Sequence, residues 1–141
     1  MSDANLEKSM IRAHSGGTHH FLNTKFLSLE GEIYKYELEF SKECLNPFNT
    51  VQGGMIASAI DEITSISVNV FTKDEYLPSS TDIHISFHRP LFLGKAIGTA
   101  KIIKLGKQIV SVEGRLISSS GKIAATGLHT AVLFKTSDIN K

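Results

Sequence analysis

The stretch NPFNTVQGGMIASAIDE, Asn46 to Glu62, decides the fold. Asn46-Pro47 is a turn signal, and beyond it the periodicity of the chain changes. Met55, Ala59, Ile63, Ile66 and Val70 recur at three- and four-residue spacing, which predicts a helix from about Gly53 to Phe71. Ile56, Ile60 and Ser67 widen its apolar stripe, so the helix belongs in an interior rather than on a surface. Two adjacent glycines, Gly53 and Gly54, open it. A carboxylate, Asp61, follows among Ala57, Ile60 and Ile63, where an unpaired charge is costly. The plainer alternative is an exposed acid on the helix surface, as expected for Glu62 beside it.

On the N-terminal side of this helix, Phe26 to Leu29 and Ile33 to Phe40 read as the arms of a hairpin across Glu30-Gly31-Glu32. In the second arm Tyr34, Tyr36, Leu38 and Phe40 alternate with Lys35, Glu37 and Glu39, the period of a strand with one buried face. On the C-terminal side, Thr81 to Phe87, Lys95 to Lys104, Ile109 to Ile117 and Ile123 to Phe134 are four more strands. Their short glycine-containing links, Leu105-Gly106-Lys107 and Ser119-Ser120-Gly121-Lys122, predict an antiparallel meander. The class is α+β: a curved antiparallel sheet wrapped around one long central helix.

Composition sets the outer bounds. A chain of 141 residues fits one domain, 1–141, with the first twenty residues as an N-terminal extension. Apolar residues make up 41% and charged residues 21%, and no apolar run approaches the roughly 20 residues of a membrane helix. The start, MSDANLEKSMIRAHSGGTHH, lacks the basic beginning and apolar core of a signal peptide. The single cysteine, Cys44, excludes an internal disulfide and agrees with a reducing cytoplasm. A net charge of +1 argues against a nucleic-acid surface. His14, His19 and His20 are neighbours, but no Cys or carboxylate stands at metal-site spacing, so no metal is expected.

NPFNTVQGGMIASAIDE followed by SSTDIHISFHRPLFLG resembles the hot-dog-fold thioesterases of the phenylacetate-degradation type, which carry an Asn, then His-Gly-Gly, then a helical Asp or Glu. The resemblance covers about Phe26 to Phe134. It implies hydrolysis of an acyl-CoA thioester, coenzyme A entering as part of the substrate and no other cofactor. By the resemblance Asp61 is the catalytic carboxylate, acting as general base on water or as nucleophile through a mixed anhydride. Gly53, at a helix N-terminus, offers an unpaired backbone N–H and the positive end of the helix dipole to the carbonyl oxygen. Gly54 permits close approach of the substrate. The alternative for both glycines is tight packing of the helix under the sheet.

Asn46 matches the family Asn and supports water or substrate; turn chemistry before Pro47 explains it equally well. Gln52 stands where commoner members have His, and Gln can donate a hydrogen bond but supplies no proton at neutral pH. Ser80 matches a family serine that assists the carboxylate. Alternation, however, puts Thr81, Ile83, Ile85 and Phe87 on one face and Ser80, Asp82, His84, Ser86 and His88 on the other, turning Ser80 from the core unless the strand begins irregularly. His84 and His88 read as solvated or interface residues, and Cys44 as a small buried or partly buried thiol. Arg89, Lys104 and Lys107, at strand ends or turns, are candidates for the phosphates of coenzyme A, with ordinary surface charge as the alternative.

Gly53 and Asp61 lie about 12 Å apart along a helix, too far for both to touch one carbonyl. Two chains with antiparallel helices would bring the two groups together across a twofold axis, which implies a homodimer or a dimer of dimers. Two other functions fit the fold. A hydratase or dehydratase pairs an acid with a His, and the central helix has none. A noncatalytic acyl-CoA binder is kept open by Gln52.

Overall fold

Strand β2 (Ile33–Phe40) shows the alternation directly: Tyr34, Tyr36, Leu38 and Phe40 are all buried, and the residues between them are not. It pairs with β1 (Lys25–Glu30) as a hairpin. A central helix follows, numbered α3 here (Gly53–Phe71), and after it β3 (Tyr76–Phe87), β4 (Gly94–Leu105), β5 (Ile109–Ile117) and β6 (Ile123–Lys135). The computed structural model describes residues 3–139. The six strands form one sheet in the order β1-β2-β4-β5-β6-β3, every neighbouring pair antiparallel. Helix α3 lies against β2 to β6 and buries Ile56, Ala59, Ile60, Ile63, Ile66, Val68 and Val70. The expected meander is β4-β5-β6.

Helix and sheet approach each other through glycines of the sheet. A Cβ on Gly98 would lie 2.8 Å from Ile63, one on Gly114 2.8 Å from Ile60, and one on Gly127 2.7 Å from Ile85 and 3.0 Å from Ile60. Gly114 and Gly127 stand opposite each other on β5 and β6. Their missing side chains are the space that the Ile60 turn of α3 fills.

Two features depart from the expectations. Strand β3 starts at Tyr76 rather than Thr81, with Pro78 inside it. Among the described residues β3 pairs only with β6, so it is an edge strand, where a missing N–H is tolerated. The N-terminal extension forms helix α1 (Asp3–His14) and enters a short helical turn, α2 (His19–Leu22), that ends just beyond it. Leu6, Met10 and Ala13 of α1 pack against the core, and α1 rests on α3. Lys8 reaches Asp74 at 3.1 Å and Arg12 Nη2 reaches it at 3.1 Å, fastening α1 to the turn after α3. The Arg12 hydrogen bond, opposed by burial, holds the Asp74 carboxyl below its usual range. None of the described helices is long and apolar enough to cross a membrane.

Candidate active site

The start of α3 is fixed from both sides. The Gln52 N–H donates to the Cys44 carbonyl at 2.8 Å and the Val51 N–H to the Leu91 carbonyl at 2.8 Å. Asn46 holds the turn that precedes them: its Oδ1 accepts from the N–H groups of Phe48 (2.9 Å) and Thr50 (3.2 Å), and its Nδ2 donates to Thr50 Oγ1 (2.8 Å). Within the chain its amide therefore does turn chemistry. Gln52 is the N-cap residue, exposed and making no side-chain cap, and its Oε1 lies over Gly54. Among the described residues, the N–H groups of Gly53 and Gly54 have no acceptor. They are the orphan donors of a helix N-terminus, with the dipole behind them.

Packing does not demand glycine here. A Cβ on Gly53 would meet the Phe87 ring at 3.4 Å and one on Gly54 would meet Gln52 at 3.4 Å, both ordinary contacts. Tight passage under the sheet is the work of Gly98, Gly114 and Gly127, not of this pair. What the pair leaves is an open approach to two free donors.

Asp61 lies on the same helix, about 12 Å further along. The expectation that it sits in an apolar surround while Glu62 faces water is reversed. The Asp61 side chain is 54% exposed, whereas Glu62 turns toward the N-terminal segment and accepts a hydrogen bond from the Thr24 hydroxyl. Burial raises the Glu62 carboxyl above its usual range, although the Thr24 bond and His14 pull it down. Adjacent helix positions differ by about 100°, and α1 with Thr24 covers one of them but not the other.

Beside Asp61 stands a histidine that no motif pointed to. His129 of β6 is 2% exposed, and both its ring nitrogens are engaged. Nδ1 is 2.7 Å from Thr64 Oγ1 and Nε2 is 2.6 Å from Ser80 Oγ, while Asp61 Oδ1 lies 3.7 Å from Nε2. Hydroxyl bookkeeping assigns the tautomer. The Thr64 hydroxyl donates to the carbonyls of Ile60 (2.7 Å) and Asp61 (3.1 Å), which only accept, so Thr64 Oγ1 accepts from His129 Nδ1–H. Nε2 is then the acceptor, and the Ser80 hydroxyl donates to it. Burial lowers the His129 pKa, outweighing the opposing pull of Asp61 and Asp82, so the ring is neutral at physiological pH.

Ser80 reaches this position through a β-bulge. Ser80 pairs with Ala131 and Asp82 with Thr130, leaving Thr81 as the extra residue. Beyond it Ile83, Ile85 and Phe87 pair with His129, Gly127 and Ala125, so the bulge moves Ser80 to the side that plain alternation denied it. Strand parity was the available signal for His129, which shares a face of β6 with Ala125, Gly127 and Ala131. The argument against a hydratase also changes, because the His missing from the central helix is supplied by β6. It has no free nitrogen for a substrate.

The three cations do not converge. Arg89 donates to the Ile123 carbonyl at 2.8 Å and lines a cleft of about 460 Å³ with Pro90, Leu91, Lys95 and Ser118–Ser120, at the Gly53 end of the molecule. Lys104 and Lys107 flank the β4–β5 turn, at the other end of β4, roughly 30 Å away at a strand's rise. Within one chain they cannot hold the same phosphates as Arg89.

An antiparallel sheet curled on one long helix, with unpaired donors at the helix start and an open carboxylate two turns on, is the architecture of the hot-dog hydrolases. The sequence profile of the thioesterase superfamily matches residues 48–125. The chain belongs to that superfamily and is a thioester hydrolase. It is 30% identical over 96 residues to acyl-coenzyme A thioesterase 13 of Homo sapiens, covering 67% of this chain and 68% of the relative. It is 27% identical over 109 residues to the proofreading thioesterase EntH of Klebsiella pneumoniae, covering 77% and 80%. The phenylacetic acid degradation-related protein of Ralstonia eutropha superposes with a TM-score of 0.77 at 27% identity, covering 91% of this chain and 99% of that one.

Proposed function

We propose that the protein hydrolyses acyl-CoA thioesters to free acid and coenzyme A, in the cytoplasm, at sites shared between two chains. The observation that carries this reading is the division of the machinery along α3. Unpaired donors stand at Gly53 and Gly54, and an exposed acid beside Ser80 stands about 12 Å away. In the shared site, the Gly53 N–H of one chain receives the thioester oxygen as charge develops on it. Asp61 of the other chain takes a proton from water held between its carboxylate and Ser80 Oγ. The unpaired outer edge of β3 supports the assembly, since antiparallel pairing of two β3 strands would set the two helices antiparallel. The names of relatives acting on acyl-coenzyme A support the substrate class, and the Arg89 cleft at the helix start suits its phosphates.

The test is a panel of acyl-CoA substrates assayed for free thiol, with Asp61→Asn as the control. Asn is nearly isosteric but neither basic nor nucleophilic, so the variant should fold and lose at least about 100-fold in kcat. Parental rates in folded Asp61→Asn would remove the acid from the mechanism. A parent that binds acyl-CoA but releases no thiol would make the protein a noncatalytic binder.

A further inference from the structure

We propose that His129 is a positioning residue that sets the polarity of the Ser80 hydroxyl, and that its protonation state gates hydrolysis. The inference rests on Asp61 acting as general base. Three groups in series define the device: the Ile60 carbonyl fixes the Thr64 hydroxyl, Thr64 fixes the His129 ring as the Nδ1–H tautomer, and Nε2 captures the Ser80 proton. With its proton committed inward, Ser80 Oγ presents only lone pairs toward Asp61. A water between Ser80 and the Asp61 carboxylate then donates one hydrogen to each, and its own lone pair is left for the thioester carbon. One hydrogen goes to Asp61 as the C–O bond forms, and the electrons of the breaking C–S bond leave with the thiolate.

Protonation of His129 reverses this arrangement. Nε2 becomes a donor, the Ser80 hydroxyl turns outward, and Ser80 competes with water as a donor to Asp61, whose carboxylate also gains an imidazolium 3.7 Å away. A carboxylate so engaged is a weaker base, and the water loses its fixed orientation. The charged groups facing the ring are Asp61 from α3 and Asp82 from β3; β5 presents the uncharged Val112 opposite it. Because burial lowers the pKa of the ring, hydrolysis should fall on the acid side in a window below the ordinary His value of 6.5. The ring never touches substrate, since it is buried with both nitrogens bonded.

The test compares pH profiles of kcat for acyl-CoA hydrolysis by the parent, His129→Gln and His129→Phe. Gln can place a neutral, non-titrating acceptor near Nε2, so His129→Gln should keep measurable kcat at neutral pH and lose the acid limb of the window. Phe supplies no acceptor, so His129→Phe should lose about tenfold to a hundredfold in kcat with little change in KM. An acid limb unchanged in His129→Gln, or parental kcat in His129→Phe, would overturn the proposal. Nitrogen NMR of the His129 imidazole in the parent tests it without a substitution. An unprotonated Nε2 at neutral pH is expected, and a proton found there would overturn it. Parental activity in Asp61→Asn would instead overturn the general-base reading, so the two failures are distinguishable.

Discussion

At the scale of single residues, the site is decided by which groups have a partner already. Asn46 braces its own turn with Oδ1 and with one hydrogen of Nδ2, and Glu62 is occupied by Thr24. Asp61 is open: among the described residues it has a long 3.5 Å contact from Ser65 and a 3.7 Å approach to the buried His129, which the exposed Ser80 hydrogen-bonds. Gln52 is exposed at the N-cap with its amide uncommitted. Gln52→His should therefore keep or raise kcat/KM, because an imidazole placed there can donate as the amide does and can also pass a proton. A large loss in a folded Gln52→His, measured by thiol release, would show that the site has been rebuilt around glutamine.

At the scale of elements, glycine has two separable uses. Gly114→Ala puts a methyl 2.8 Å from Ile60 and 2.9 Å from Thr64, so it should cost about 1–3 kcal/mol of stability by overpacking. Gly53→Ala meets only ordinary contacts and should leave Tm within a few degrees while lowering activity, its methyl standing where the thioester approaches. Calorimetry and thiol release on both variants check the split, and matched loss of stability in the two would refute it. Much of this layer was legible in the sequence. The three-and-four spacing of α3 and the alternation of β2 follow from burial on one side, and one-sided burial writes a period. A bulge writes none, so alternation alone turns Ser80 away from the core, and only an irregular start to β3 brings it to His129. Helix α1 shows its stripe only as Leu6, Met10 and Ala13, too brief to stand out beside His14, Ser15, Gly16 and Gly17. His129 carries no motif, because its partners come from two elements, α3 and β3, distant from it in sequence. Asp61 and Glu62 exchanged environments because Thr24 and α1, far from the helix in sequence, choose between them.

At the scale of the whole molecule, the prediction concerns two chains. Asp61→Asn homodimers and homodimers of a folded Gly53→Val variant, whose branched side chain obstructs the helix start, should both be inactive. A heterodimer of the two carries both lesions in one site and none in the other, so about half of the parental activity per dimer should return. Isolated heterodimers as inactive as their parents, with an unmutated control active, would place each site within a single chain. The outer edge of β3 then takes on a second meaning. A twelve-residue strand with one side unpaired invites indiscriminate pairing with other chains, and in the proposed assembly the same edge is the seam that completes two sites. Catalysis and solubility are thereby governed by one association equilibrium. Diluting the enzyme below its dimerisation constant would lower turnover per chain by mass action and, in the same step, release the surface most prone to aggregate.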